Sequence, residues 1–230
     1  MNRNRSVFTS VGIVLGLMMP VNPASADPGT VPPGQLSALT ADWWQWALSI
    51  PKSINPLLDQ TGENCMVGQR DFVWFLAGTF FGGSATRTCS VPEDKTLFFP
   101  ITNLSFFNSP NLCGQGNQSF TAEQERAQIK PIIDAVKALS VTVDGTDVKK
   151  TLLHRVQSQV FDVVLPDDNI FTPDFAPCPA GIYSPTVDDG YYVSLGPLTP
   201  GTHTIHFHGE DALGIHDVTY NLDVVPVTLQ

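Results

Sequence analysis

The chain has 230 residues, and its 12 Lys and Arg against 22 Asp and Glu set the formal net charge at -10. Hydrophobic residues make up 42% and charged residues 15% of the chain, which excludes a disordered chain because disorder requires low hydrophobicity and high charge density. The acidic balance also argues against a nucleic-acid partner, since phosphate binding requires a basic face.

The first 26 residues predict a secretory signal peptide. Arg3 and Arg5 supply a positive start, an apolar stretch over 11–19 follows, and Ala-Ser-Ala at 24–26 provides the small residues of a cleavage site. This stretch is shorter than the roughly 20 apolar residues of a spanning helix, and no later run reaches that length. We therefore expect a secreted or periplasmic protein whose mature chain begins at Asp27 and has no membrane span.

Four cysteines follow the signal peptide, and an even number in an exported chain predicts two disulfide bonds. Three pairings are open. We favour Cys65–Cys89, whose loop spans a strand-like apolar run, and this leaves Cys113–Cys178 as a long tie between the two halves of the chain. A metal site built from these cysteines is disfavoured because no C-x-x-C spacing occurs.

The mature chain begins with a lead-in over 27–34 that is rich in Pro and Gly and is expected to be extended. Apolar residues at helical spacing then predict a helix over 35–49, which Pro51 ends. Its tryptophans, with one from the next apolar run, are either anchors of the core or a ligand-binding platform on which sugar rings stack. These four tryptophans are Trp43, Trp44, Trp46 and Trp74.

Short, continuous apolar runs at 72–76 and 96–100 predict strands that are covered on both faces. Adjacent phenylalanines at 80–81, 98–99 and 106–107 agree with this prediction, because neighbours on a strand point to opposite faces. The helix at 35–49 is expected to cover one of these faces. Residues 104–120, which contain Asn, Ser, Gly and Gln, predict a loop.

A second helix is predicted over 122–139, inside a linking segment 119–139. Thr121 and Gln124 have the spacing of a capping box at its start, and Pro131 is the position of any bend. Its apolar stripe consists of Ile129, Ile132, Ile133, Val136 and Leu139.

From residue 140 onward the pattern changes to short strands separated by turns. Asp144-Gly145 is a two-residue hairpin signal. This spacing predicts an antiparallel sandwich or jelly roll. The other strand candidates lie at 156–165, 191–195, 203–208 and 218–225.

Together these elements predict an α+β fold that is mainly antiparallel β. We expect an aromatic-rich α+β half over 35–118 and a sandwich or jelly-roll-like half over 140–230, joined by the segment 119–139. An alternative is one continuous domain over 35–230 to which both halves contribute strands.

Several motifs resemble those of a family of exported bacterial proteins whose activity is uncharacterised. They are WWQW at 43–46, VWFLAG at 73–78 and FFP at 98–100. The likeness covers most of the mature chain. It implies export and an immunoglobulin-like C-terminal half, and it implies no activity or catalytic residue.

Four of the five histidines lie near the C-terminus, and two of them form an H-x-H strand pattern. His206 and His208 share one face of a strand, and Glu210, Asp211 or His216 is expected to supply a third metal ligand. Three protein ligands with an open position make a catalytic zinc site, and copper also accepts imidazoles. The alternatives are solvent-facing polar residues or a metal-free catalytic histidine.

Two acidic segments, Asp167-Asp168-Asn169 and Asp188-Asp189-Gly190, predict turns or loops that bind structural calcium. The remaining acidic candidates are Asp59 and Asp71, which lie near the tryptophans. Two carboxylates held in a cleft at a set separation are the acid–base pair of a glycosidase.

Three functional hypotheses follow. We favour a non-enzymatic, exported module that binds an extracellular or cell-surface partner, either a polysaccharide, another surface component or a protein. The second is a metal-dependent enzyme or metal-binding protein that holds zinc or copper at the H-x-H strand. The third is a metal-free carbohydrate-active enzyme.

Overall fold

The computed structural model describes residues 31–171 and 177–227. The predicted signal peptide and the first part of the lead-in lie outside the described residues. Over the described ranges the fold is α+β and rich in strands, as predicted, with two mixed five-stranded sheets and two α-helices. None of the helices in these ranges has the length and apolar character that crossing a membrane requires.

The helices are α1, Leu36–Ser49, and α2, Ala122–Asp134. Short 3-10 turns cover Pro33–Gln35, Lys52–Ile54 and Lys150–Leu152. The strands are β1 Val73–Phe75, β2 Gly83–Pro92, β3 Thr96–Phe107, β4 Ala138–Val143, β5 Thr146–Asp147, β6 Leu153–Gln157, β7 Phe161–Leu165, β8 Gly181–Leu195, β9 Gly201–Glu210 and β10 Ile215–Val225.

Each sheet takes strands from both predicted halves of the chain. The first sheet has the order β1-β3-β8-β6, with β7 also paired to β8, and the second has the order β2-β10-β9-β4-β5. The pairs β1–β3 and β2–β10 are parallel, and all other pairs are antiparallel. The predicted boundary between 35–118 and 140–230 therefore does not separate two sheets, and one continuous domain over 35–230 stays a prediction.

Three layers of packing hold these elements together. The two sheets face each other across a core in which the ring of Phe99 stacks on that of Phe207, with 4.9 Å between centroids. Helix α1 covers the other face of the first sheet, where Trp46 meets Phe75 at 5.4 Å. Helix α2 packs on β3 and β8, where Ile129 belongs to a separate small core cluster.

The long-range pairings explain where the observed elements differ from the predicted ones. Helix α2 ends at Asp134, before residue 139, because Ala138 already pairs with Glu210 in β9. Strand β3 extends into the predicted loop at 104 because β8 pairs with it as far as Phe107. The predicted strand 156–165 is two strands, since β6 and β7 pair with different parts of β8.

Other predictions are confirmed. Asp144 and Gly145 both have positive φ values, 51° and 76°, and they join β4 to β5 as a two-residue hairpin. Both expected disulfide bonds, Cys65–Cys89 and Cys113–Cys178, are present.

The described end of the lead-in is attached to the first sheet. Val31 is buried, and its N–H donates to Oγ of Ser194 in β8 at 3.2 Å. The 3-10 turn at Pro33–Gln35 then leads directly into α1. The predicted extended lead-in over 27–34 therefore ends in a turn in its described part.

Candidate functional site

A cavity of about 420 Å³, which we call the Phe cavity, lies between the far end of β3, helix α2 and the loop 108–120. The described part of its wall is mainly apolar and contains seven aromatic side chains, and α2 adds Glu125 and Gln128. A largely apolar cavity with a few polar groups is the usual form of a small-molecule site. The aromatic side chains of its wall are Trp44, Phe80, Phe81, Phe106, Phe107, Phe120 and Phe171.

The cavity lies beside an unpaired stretch of strand edge. Strand β8 pairs with one edge of β3 along nearly its whole length, whereas β1 pairs with the other edge only over Thr96–Phe98. Beyond Phe98, no described strand covers this second edge. Phe106 and Phe107, on this part of β3, line the cavity together with residues of the loop 108–120 and of the turn near Phe80.

The loop 108–120 is held in place by its own side chains and by a disulfide bond. The amide oxygen of Gln115 accepts from the N–H of Ser109 at 2.8 Å and from its Oγ at 3.1 Å. The Cys113–Cys178 bond ties the loop to the segment before β8. This wall of the cavity is consequently fixed before any ligand arrives, which lowers the ordering entropy that binding requires.

Another part of the cavity wall is a tight turn that contains Phe80 and Phe81, and the backbone of Phe81 is strained. Phe81 has φ of 60° and is 53% exposed, and its ring lies 4.3 Å from that of Phe80. A bulky side chain in this left-handed region is uncommon, and such strained positions cluster at ligand sites. Gly82, with φ of 85°, completes the turn.

Among the described residues, Glu125 is the only acidic side chain in the cavity wall. It is 1% exposed, and neither carboxylate oxygen has a hydrogen-bond partner among the described residues. Burial raises the pKa of Glu125 from 4.5 to about 7, against the opposing charge of Arg126. Buried carboxylates normally have partners, so this one is the most unusual polar group of the cavity.

The tryptophans form part of the core and do not make an open platform. All four are at most 7% exposed. The indole N–H of Trp43 donates to the carbonyl of Leu76 at 3.1 Å, and that of Trp46 donates to Val67 at 2.9 Å. Their burial favours the alternative that they anchor the core. Trp44 alone reaches the Phe cavity, while Trp74 lies in the core between the sheets.

The acidic pair in the predicted turn at 188–190 lies instead inside β8 and is buried. Asp188 accepts from the indole N–H of Trp44 at 2.7 Å and from the hydroxyl of Tyr192 at 2.8 Å, and burial raises its pKa. Asp189 accepts from Nε and a terminal nitrogen of Arg155, at 3.1 and 2.9 Å. Both carboxylates accept from protein donors, and both residues lie in a strand, which corrects the expectation of a turn or calcium loop here.

The other acidic candidates have local structural contacts. Asp59 accepts from the N–H groups of Thr61, Gly62 and Asn64 at 2.8 to 3.0 Å, and it therefore organises its own loop. Asp168, in the predicted turn at 167–169, accepts from the N–H of Ser53 at 3.1 Å. Neither carboxylate lines the Phe cavity. The structure thus assigns Asp59 to loop geometry, and the predicted acid–base pair of Asp59 and Asp71 gains no support from it.

The predicted H-x-H ligands are divided between two faces of the second sheet. Asp217 lies between the two histidines, with its oxygens 3.1 Å from Nε2 of His206 and 3.0 Å from Nδ1 of His208. Nε2 of His208 also lies 3.4 Å from Glu210. His216 follows the opposite parity along β10 and points to the other face, so the four predicted ligands do not converge.

His206 and His208 are thus hydrogen-bond partners of Asp217. The hydrogen bond with Asp217 raises the pKa of His208, and the two histidines lower that of Asp217. His216, on the inner face, lies 2.8 Å from Oγ1 of Thr79. Within residues 31–171 and 177–227, no three His, Cys, Asp or Glu side chains form a group with metal-holding geometry.

A comparison with protein-family models finds no family that matches the chain. A search of curated proteins likewise finds no match. The resemblance to an exported bacterial family stays a prediction, and the candidate site is argued from its geometry.

Sequence reasoning missed Glu125, although the sequence contains a signal for it. Glu125 precedes Ile129 and Ile133 at intervals of four, so all three lie on one face of α2. A carboxylate on the apolar stripe of an amphipathic helix is an exception to its pattern. The paired phenylalanines at 80–81 and 106–107 predict covered strand faces, whereas in the structure both pairs line the cavity.

Proposed function

We propose that this protein is a non-enzymatic, exported binding module whose ligand is a small, largely apolar molecule held in the Phe cavity. The observation that carries the proposal is the cavity itself: about 420 Å³ of space with an aromatic wall and one buried carboxyl. This volume falls in the range of about 300–1,000 Å³ that is typical of small-molecule sites.

The rigidity of the walls supports a binding role. One wall belongs to α2 and the sheet, and another is held by the Cys113–Cys178 bond. A preformed site retains more of its interaction energy as affinity, because less ordering accompanies binding. Protein interiors otherwise contain few voids larger than a water molecule.

Export is the second part of the proposal, with a secreted or periplasmic location. Two disulfide bonds are typical of oxidising compartments, and the predicted signal peptide agrees with them. Among the partners considered, a polysaccharide loses its main support because the four tryptophans are buried. An apolar ligand, whether free or part of a surface component, fits the phenylalanine wall better.

A neutral fluorescent probe, N-phenyl-1-naphthylamine, tests the proposal. Its emission increases in apolar surroundings, and we expect saturable binding to the full chain. Ser105 lines the cavity, so Ser105→Phe introduces a ring into it and is expected to weaken binding about tenfold or more. Ser90→Phe, the same change at an exposed position of β2, is the matched control and should bind like the wild type.

Two results contradict the proposal. One is the lack of any saturable binding by the wild-type protein. The other is equal binding by the wild type and the Ser105→Phe variant, provided that thermal unfolding shows the variant to be folded. In the second case the probe binds elsewhere, and the Phe cavity is not the ligand site.

A further inference from the structure

We infer that the molecule held in the Phe cavity carries an ammonium group that binds the carboxylate of Glu125. The inference rests on the proposed function and names the chemical class of its ligand: a primary or secondary amine with an apolar body. It follows from the two unpartnered oxygens of Glu125, from the aromatic side chains that line the same cavity and from the net charge of the protein.

The oxygens of Glu125 are the first step. Both are buried without a donor among the described residues, and Glu125 lines the cavity. An ionised carboxylate accepts several hydrogen bonds, and an ammonium group offers up to three N–H donors. Charge-assisted hydrogen bonds between such groups are about twice as strong as neutral ones. A ligand ammonium therefore satisfies both oxygens with one functional group.

No protein cation takes this role. Arg126 is the next residue along α2, but its guanidinium donates to the carbonyl of Ser158 at 2.7 Å. In the described parts of the chain, no Lys, Arg or His nitrogen is recorded within ion-pair distance of the Glu125 carboxylate. The charge of Arg126 lowers the pKa of Glu125, but neither oxygen of the carboxylate accepts a hydrogen bond from a described residue.

The aromatic wall favours the same ligand class. The faces of aromatic rings attract cations, and aromatic cages bind ammonium ligands in this way. The rings also supply apolar surface for the body of the ligand. A quaternary ammonium satisfies only the rings, because it has no N–H to donate. The unpartnered oxygens of Glu125 therefore favour an amine that retains its N–H groups.

The net charge of the whole chain also favours a cationic ligand. With a net charge of -10, the protein attracts cations and repels anions at long range. An anionic ligand would bring a second negative charge next to Glu125 in a site of low polarity. A neutral alcohol would fill the cavity and donate one hydrogen bond, so it is the proper reference for the ammonium.

Isothermal titration calorimetry with three matched probes tests the inference. The probes are 4-phenylbutylamine, 4-phenylbutan-1-ol and 4-phenylbutyrate, which share one apolar body and differ in the head group. At about pH 8 the amine is protonated and Glu125 is ionised. We expect the amine to bind the wild-type chain about tenfold or more tightly than the alcohol, and the carboxylate to bind most weakly.

Two variants test whether Glu125 causes the preference for the amine over the alcohol. Glu125→Gln keeps the shape of the side chain and removes its charge, so it should abolish the advantage of the amine while the alcohol still binds. Glu123→Gln, an exposed residue in the same turn of α2, is the matched control and should keep the full preference. Retained binding of the alcohol shows that the cavity of the Glu125→Gln variant is intact.

The outcomes separate this inference from the proposed function. If the wild-type chain binds amine and alcohol equally, the inference is wrong and the proposed function stands; this comparison needs no variant. If the amine preference survives in Glu125→Gln, the ammonium does not bind Glu125. If neither these probes nor the neutral fluorescent probe binds, the proposed function itself is wrong.

Discussion

At the scale of single residues, the buried charged groups of this protein differ in their partners. Asp188 is fully buried, yet Trp44 and Tyr192 donate to it. Arg87 is equally buried, and it donates to carbonyl oxygens, among them that of Ala77 at 2.6 Å. Glu125 has no such partner. Burial alone therefore does not mark the candidate site, and the lack of a donor does.

This lack predicts how stability changes with pH. In the folded chain the pKa of Glu125 is raised to about 7, and its ordinary value is 4.5. Well below pH 4.5 the carboxyl is protonated in both the folded and the unfolded state. Its burial then involves no charge, and the free energy of unfolding does not depend on its titration. Between 4.5 and 7 the unfolded state ionises first, so the free energy of unfolding falls by up to about 3 kcal/mol as pH rises.

Glu125→Gln removes this titration. We therefore expect the variant to gain up to about 3 kcal/mol relative to the wild type between pH 4 and pH 8, measured by urea unfolding. Burial of the neutral amide in the variant has a cost that does not depend on pH. It therefore shifts the variant's free energy of unfolding by the same amount at every pH. Glu123→Gln should follow the wild type. A constant difference between Glu125→Gln and the wild type over this pH range would contradict the raised pKa.

At the scale of elements, β3 and β8 approach each other so closely that they leave no room for a side chain at position 190. A Cβ atom placed on Gly190 would lie 2.7 Å from Cα of Asn103 and 2.8 Å from the carbonyl oxygen of Thr102. The pairing register of the two strands shifts between Pro100 and Thr102, near this contact. The strands therefore need glycine at position 190.

Substitution of two glycines in the same strand tests this close approach. Gly190→Ala should destabilise the protein by about 1–3 kcal/mol, because backbone atoms of β3 cannot move away cheaply. Gly181→Ala is the matched control: its nearest contact is the ring of Tyr183 at 3.9 Å, and a change below about 1 kcal/mol is expected. Thermal or urea unfolding measures both. Equal effects of the two substitutions would show that the strands accommodate the methyl group.

At the scale of the whole molecule, the shared strands predict one cooperative unit. Strand β2 pairs with β10 over ten residues, and β3 pairs with β8, so neither sheet forms without both parts of the chain. The Cys113–Cys178 bond adds a covalent link across them. By the loop-entropy model this link contributes about 4 kcal/mol.

Two spectroscopic probes test this cooperativity without a variant. All four tryptophans lie before residue 80, whereas seven of the ten strands follow residue 137. Urea transitions followed by tryptophan fluorescence and by far-ultraviolet circular dichroism should therefore coincide within error. Separate midpoints would indicate two independently folding halves, which is the arrangement that the change in sequence character at residue 140 suggested.

Local signals in the sequence account for the parts of the fold that were predicted. The capping box of Thr121 and Gln124, the start of α2 and the Asp144-Gly145 hairpin depend on neighbours within a few residues. The even number of cysteines predicted two disulfide bonds but left three pairings open, and the structure contains the favoured one. The candidate site was predicted less well, because only Trp44 of the proposed binding residues reaches the Phe cavity.

The sequence by itself determined the strand-rich α+β class, the two helix starts and the two disulfide bonds, since spacing along the chain carries this information. Only the tertiary structure decided that Asp188 belongs to a strand, that His216 faces away from His206, and that Glu125 meets an aromatic cavity. These facts depend on pairing register and packing between distant segments. A shift of one residue in a strand reverses its faces, so local patterns cannot specify which side chains meet.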